Sequence, residues 1–194
     1  MNLIDERKSV FFNICEQQIH RKGITDLLSW LEGTDFFVAP ASTRFHGAEE
    51  GGLCKHSLQV YTRMYDLLCF YIPAYNHAQL ESATIISLFH DICKTNMYKR
   101  STKNVKNLDT GLWETVPCYT VDERPMSFGS HGAKSMYLVQ NFMQLKPEEA
   151  SAILHHMGAW DNSQYSNCSS VYDWNKFAWL LHVADEAATY LDKA

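Results

Sequence analysis

The residues best equipped for chemistry stand in Leu88-Phe89-His90-Asp91-Ile92-Cys93-Lys94-Thr95. An imidazole and a carboxylate sit side by side at the end of an apolar run, Ala83 to Phe89, broken only by Thr84 and Ser87. Such a run reads as a helix buried on most sides. A charge at its end is costly unless it is paired or bound to a metal. Neighbouring N and O donors, with Lys94 three residues past Asp91, point to a metal that handles an anion. A lone His-Asp dipeptide is more often a buried pair that only holds the core, so other polar residues on apolar faces must decide.

Several such residues exist. His56 falls on the stripe of Leu53, Val60, Met64, Leu67 and Tyr71, which places it inward. Asp185 shares a face with Trp174, Ala178, Leu181 and Ala188. His131 opens a predicted helix, and His155-His156 end another. Consecutive helical residues diverge by about 100°, so His155 and His156 can flank one site without both ligating one ion. A metal centre with nitrogen and oxygen ligands gives His56, His90, Asp91, His131, His155, His156 and Asp185 a common explanation.

The elements that must position them follow from periodicity and breakers. Helices are predicted over residues 2–22, with Gly23 as the stop, then 25–31, 52–71, 77–93, 131–145, 147–157 and 172–191. The stretch 34–52 is irregular, broken by Pro40, Gly47, Gly51 and Gly52, and carries Arg44 and His46. Residues 97–122 read as an inserted β-hairpin with an Asn/Asp/Gly turn. From Lys94 to Lys106 there are five basic residues and no acid. That excess suits a face where phosphate approaches, and equally suits lysines guarding a strand edge. The expected class is an all-α helical bundle with a small hairpin. It forms one domain over 1–194, in which 1–33 are N-terminal packing helices and 40–191 the metal-binding core.

Composition narrows the function. With 46% hydrophobic and 20% charged residues the chain is expected to be globular and soluble. A net charge of −5 argues against a grip on long nucleic acid but leaves room for a small phosphorylated substrate. The six cysteines form no CxxC pair, which fits free thiols in a reducing cytoplasm. The N-terminus has no signal-peptide pattern and no apolar run is long enough to span a membrane.

On these residues the chain resembles the HD-domain superfamily of metal-dependent phosphohydrolases, whose pattern is a His, then His-Asp, then a distal Asp, all on helices. Members with a second metal add a His and a later His or His-His between them, and the resemblance spans about 40–190. Gly51-Gly52-Leu53-Cys54-Lys55-His56-Ser57 looks like the HD module of bacterial 3′→5′ exoribonucleases. His90-Asp91-Ile92-Cys93-Lys94 resembles the HDxGK motif of HD-GYP phosphodiesterases, with Cys93 where glycine is usual. The GYP motif is absent and no OB-fold segment precedes the core, so neither cyclic-di-GMP cleavage nor processive RNA degradation is expected.

The resemblance implies two divalent transition-metal ions, manganese or iron ahead of magnesium, nickel or zinc. His56, His90, Asp91 and Asp185 would hold one, and Asp91 would bridge to a second held by His131 with His155 and His156. A metal-activated hydroxide would then cleave a phosphoester of a nucleotide or short oligonucleotide. Asp91 and Lys94 would be catalytic, Lys94 by neutralising charge on the phosphate. His46 and Lys134 are further candidate phosphate contacts, and Trp160 a candidate stacking surface for a base. Two other readings share the residues: an HD-fold di-iron oxygenase, and a non-catalytic binding module with a vestigial site.

Overall fold

The computed structural model describes residues 2–43, 47–122, 124–161 and 167–192; Arg44 and His46 lie outside these. Among the described residues eight α-helices form a bundle with one two-stranded antiparallel hairpin inserted, as the sequence predicts. No helix among them is long and apolar enough to cross a membrane.

Helices α1 (Leu3–Gln18) and α2 (Ile24–Glu32) lead. Helix α1 ends before the expected limit at residue 22, and Gly23 does not stop it. With φ +94 Gly23 starts α2, where an added Cβ would lie 1.9 Å from the Phe142 carbonyl oxygen. Phe11 of α1 packs edge-on against Phe36, Phe37 and Phe89. Arg21 ties this end to two later helices, at 3.1 Å from Glu81 and 2.5 Å from the fully buried Glu149.

Helix α3 (Gly52–Tyr71) has the bounds predicted for it. Two adjacent glycines set its start for different reasons. Gly51 takes φ +73, and a Cβ on Gly52 would lie 2.1 Å from the Gly47 carbonyl oxygen. The Leu53 amide donates to Ala39 O at 2.9 Å, fixing the first turn just before His56. Of the expected stripe, Leu53, Val60 and Met64 are buried, while Tyr71 is exposed.

Helix α4 (His77–Phe89) begins at an Asn76–Gln79 capping box and is buried from Ser82 onward. It stops earlier than the expected residue 93. Asp91 leaves helical geometry at φ −110, ψ 15, and Ile92–Lys94 form a single 3-10 turn. Strands β1 (Tyr98–Lys106) and β2 (Trp113–Val121) then pair in register from Tyr98↔Val121 to Lys106↔Trp113.

Helix α5 (His131–Gln140), capped by Ser130, is shorter than predicted. Helix α6 (Pro147–His155) has proline and two acids in its first turn. The single helix expected over 172–191 is two, α7 (Cys168–Trp174) and α8 (Lys176–Tyr190). The break is at Asn175, whose side chain caps α8 and donates to Glu148 O at 2.8 Å. Trp174 is therefore on α7, exposed, and not on the Asp185 face. Helices α3, α4, α6 and α8 pack on one another around Leu53, Met64, Ile85, Phe89, Ile153 and Leu181.

Candidate metal centre

Two helix ends create the centre. His90 is the C-cap of α4 and His156 the C-cap of α6. Each ring turns back on its own helix, Nδ1 meeting the carbonyl three residues earlier: Ser87 O at 2.8 Å and Ile153 O at 2.7 Å. A carbonyl oxygen only accepts, so Nδ1 carries the proton. In the neutral form of each ring the lone pair of Nε2 therefore points away from its helix. This pairing of one ring N–H with a backbone carbonyl is how metal-ligating histidines are held. Both helices also bring their C-terminal, partly negative ends to the site, which favours a cation.

Helices α3 and α8 supply the rest. His56 Nε2 lies 3.0 Å from Asp185 Oδ1 and 3.7 Å from Asp91 Oδ2. His90 Nε2 lies 3.5 Å from Asp91 Oδ2 and 3.9 Å from Asp185 Oδ1. On the other side of the same carboxylate, His156 Nε2 lies 3.7 Å from Asp91 Oδ1. Among the described residues this gives two overlapping groups able to hold an ion, His56/His90/Asp185 and His90/Asp91/His156, with donor atoms within 4.8 Å of one another.

The donors fit metal ions. With bonds of about 2.1 Å an ion holds neighbouring donors roughly 3.0 Å apart in octahedral and about 3.4 Å apart in tetrahedral geometry. The observed separations need only small adjustments. His90 Nε2, His156 Nε2 and Asp91 Oδ1 are buried with no hydrogen-bond partner. Three such atoms close together are expensive in an apolar core, and bound cations would satisfy them.

The electrostatics prepare the lone pair of His90 and keep both carboxylates anionic, while Asp91 draws His156 toward its protonated form. Burial lowers the His90 pKa to about 4, overriding the nearby Asp91 and Asp185, so the ring is neutral at ordinary pH. Burial works against charge on Asp91, but Lys94 and then His90 hold its carboxyl well below the usual carboxylate range. Asp185 is likewise opposed by burial and held low by His56 and His90. For His156 burial disfavours the charged ring, yet Asp91 outweighs it and the pKa rises above 6.5.

The remaining expected residues divide. Lys94 does not stand apart from the ligands: its Nζ is 2.6 Å from Asp91 Oδ2, with the lysine side chain 15% exposed. That oxygen has two lone pairs, so the ammonium and an ion can share it. His131 opens α5 with Nδ1 3.4 Å from Cys93 Sγ, and His155 turns its Nδ1 to Ser151 O at 2.8 Å; neither joins the two groups. Lys134 is buried and borders an open cavity with Lys99, Asp122, Arg124 and Phe128. Trp160 is 70% exposed. His46 lies outside the described residues.

Two supports were not foreseen. His182 Nδ1 donates to His156 O at 2.8 Å while its ring stacks on Tyr172, fixing the backbone beneath His156. Ser135 Oγ accepts from the Cys93 amide at 3.2 Å, docking α5 on the turn after Asp91. Neither has a spacing signal, because each acts across helices. Cys93 in place of glycine is accommodated: it lies in the 3-10 turn, and the positive φ nearby belongs to Asn96 at 58°. Comparison of the chain with family models, curated proteins and solved structures gave no match.

Proposed function

We propose that the chain is a metal-dependent phosphohydrolase of the HD superfamily that cleaves a phosphoester of a nucleotide or short oligonucleotide. The observation that carries the reading is the convergence of three buried, unbonded donor atoms, His90 Nε2, His156 Nε2 and Asp91 Oδ1, beside His56 and Asp185. In this reading His56, His90, Asp91 and Asp185 would hold one ion. Asp91 and His156 would contribute to a second, with His131 and His155 as its further proposed ligands. The mixture of imidazole and carboxylate favours manganese or iron. Bound divalent ions supply Lewis acidity toward a phosphoryl oxygen and acidify a coordinated water.

The chain's own residues do the rest. Lys94 fixes the orientation of Asp91 and sets a positive charge beside the developing charge of the phosphate. Lys134 and His46 are assigned to phosphate contact and Trp160 to a base. The cytoplasm is the proposed compartment, where Cys93 next to His131 stays reduced. The test is elemental analysis of protein purified without chelator, then a screen of phosphomonoesters, dinucleotides and short RNAs. About two ions per chain and turnover of at least one phosphoester are expected. Full activity with one ion would reject the dinuclear form. Oxygen consumption by the iron-loaded protein, with no phosphoester cleaved, would overturn the hydrolase reading in favour of an oxygenase.

A further inference from the structure

The hairpin is unlike the rest of the molecule. Its two strands carry Lys99, Arg100, Lys103 and Lys106 against one acid, Glu114, in a chain of net charge −5. It packs chiefly on itself, and a two-stranded ribbon alone is marginally stable. Residues directly opposite in an antiparallel pair share a face. The register therefore puts Arg100 with Tyr119 and Lys106 with Trp113 on one face, with Thr102, Pro117, Asn104 and Thr115 between them. Glu114 is on the other face, opposite Val105. The first face thus carries a cation-aromatic pair toward each end, with uncharged residues between, and bears no carboxylate of the hairpin. Its outer half is open, with Trp113 70% exposed. Glu50 reaches Arg100 at 3.1 Å, but both side chains are exposed, and such a pair is weak and displaceable.

We infer that this face binds a short single-stranded nucleic acid, bases stacking on Trp113 and Tyr119 and phosphates meeting Arg100 and Lys106. The inference rests on the phosphohydrolase reading for the identity of the strand as substrate. Stacking on aromatics with cations along the backbone is how strands are held without sequence preference. From Arg100 to Lys106 the face extends about 20 Å, enough for a few nucleotides. A duplex keeps its bases stacked inside and cannot use the two rings, and the acidic remainder of the chain repels a long polyanion. At its root the ribbon borders the cavity of about 660 Å³ lined by Lys99, Arg124, Phe128 and Lys134. Helix α5, which supplies Lys134, docks on the turn after Asp91, so a strand lying on the ribbon leads toward the metal centre.

The test is fluorescence anisotropy of the full chain, as purified, with labelled oligothymidylate and oligouridylate of about twelve nucleotides. Lys106→Glu and Lys103→Glu change charge equally on opposite faces and are compared directly. We expect Lys106→Glu to weaken binding about tenfold and Lys103→Glu less than about threefold. Trp113→Ala should cost about tenfold and Trp113→Phe restore most of it. Two phosphate contacts give a slope of log affinity on log salt near about −1.5. Equal loss from the two lysine reversals, tighter binding of a duplex, or no binding of either strand would overturn the inference. So would a sedimentation coefficient that falls on Lys106→Glu without strand binding, which would mean that the face pairs with a second copy. A strand that is bound but never cleaved leaves the inference standing and removes the hydrolase reading. Phosphoester turnover with an anisotropy unmoved by any variant does the reverse.

Discussion

Replacing Asp91 by asparagine separates what the carboxylate does for the fold from what it does for a metal. Its Oδ2 sits 2.6 Å from Lys94 Nζ, and the two side chains are 4% and 15% exposed. At that distance the gross attraction is about 6 kcal/mol with an effective dielectric constant near 20, most of it offset by desolvation. Removing one partner of a buried pair costs about 3–5 kcal/mol, because the other charge is stranded. For a chain of 194 residues each kcal/mol shifts Tm by about 2–4 °C, so Asp91→Asn should melt about 6–20 °C lower in chelator. Adding Lys94→Met removes the stranded ammonium and should recover most of that loss. Manganese should raise the Tm of the parent and of neither variant, since the carboxylate proposed to serve both ions is gone. The assay is differential scanning fluorimetry with and without manganese, with isothermal titration for affinity. An Asp91→Asn protein that melts within about 2 °C of the parent in chelator and still binds manganese as tightly would refute the reasoning.

Three further outcomes are expected. Thorough chelation should lower the Tm of the parent by about 5–11 °C relative to metal at a hundred times its Kd, since that binding contributes about 2.7 kcal/mol; an unchanged Tm would mean that the histidines form a self-sufficient core. Burial works to raise the Glu149 pKa, but Arg21 foremost holds it below 4.5, so its stabilisation is present above about pH 4.5 and is lost as pH falls through the lowered value. Glu149→Gln should cost about 3–5 kcal/mol at pH 7 and converge on the parent in acid, and parallel Tm-against-pH curves would contradict this. Gly132→Ala would put a Cβ 2.4 Å from Leu154 O and 2.5 Å from Ile153 O. Backbone cannot yield there, so α5 must move off α6 at about 1–3 kcal/mol, read by urea denaturation; full stability would show that the helices are not in tight contact.

Periodicity in the chain is enough to place His56 inward among Leu53, Val60 and Met64, to put Asp185 on a buried face of the last helix, and to mark 97–122 as a hairpin. These are local properties: a repeat of three or four residues, or an alternation of two, is written in neighbouring residues and survives any packing. Even the polarity of the hairpin faces is local once its register is known. Helix ends were less legible. The breaks after Phe89 and at Asn175 depend on carbonyls taken by the His90 ring and on an Asn175 amide reaching Glu148. Least legible was which donors meet. Lys94 bonding to Asp91, His131 standing beside Cys93, and His182 bracing His156 are contacts between segments far apart in the chain or across a turn. They depend on the 3-10 turn after His90, on how α5 docks against it and on how α6 and α8 cross, none of which is written in the spacing of neighbouring residues.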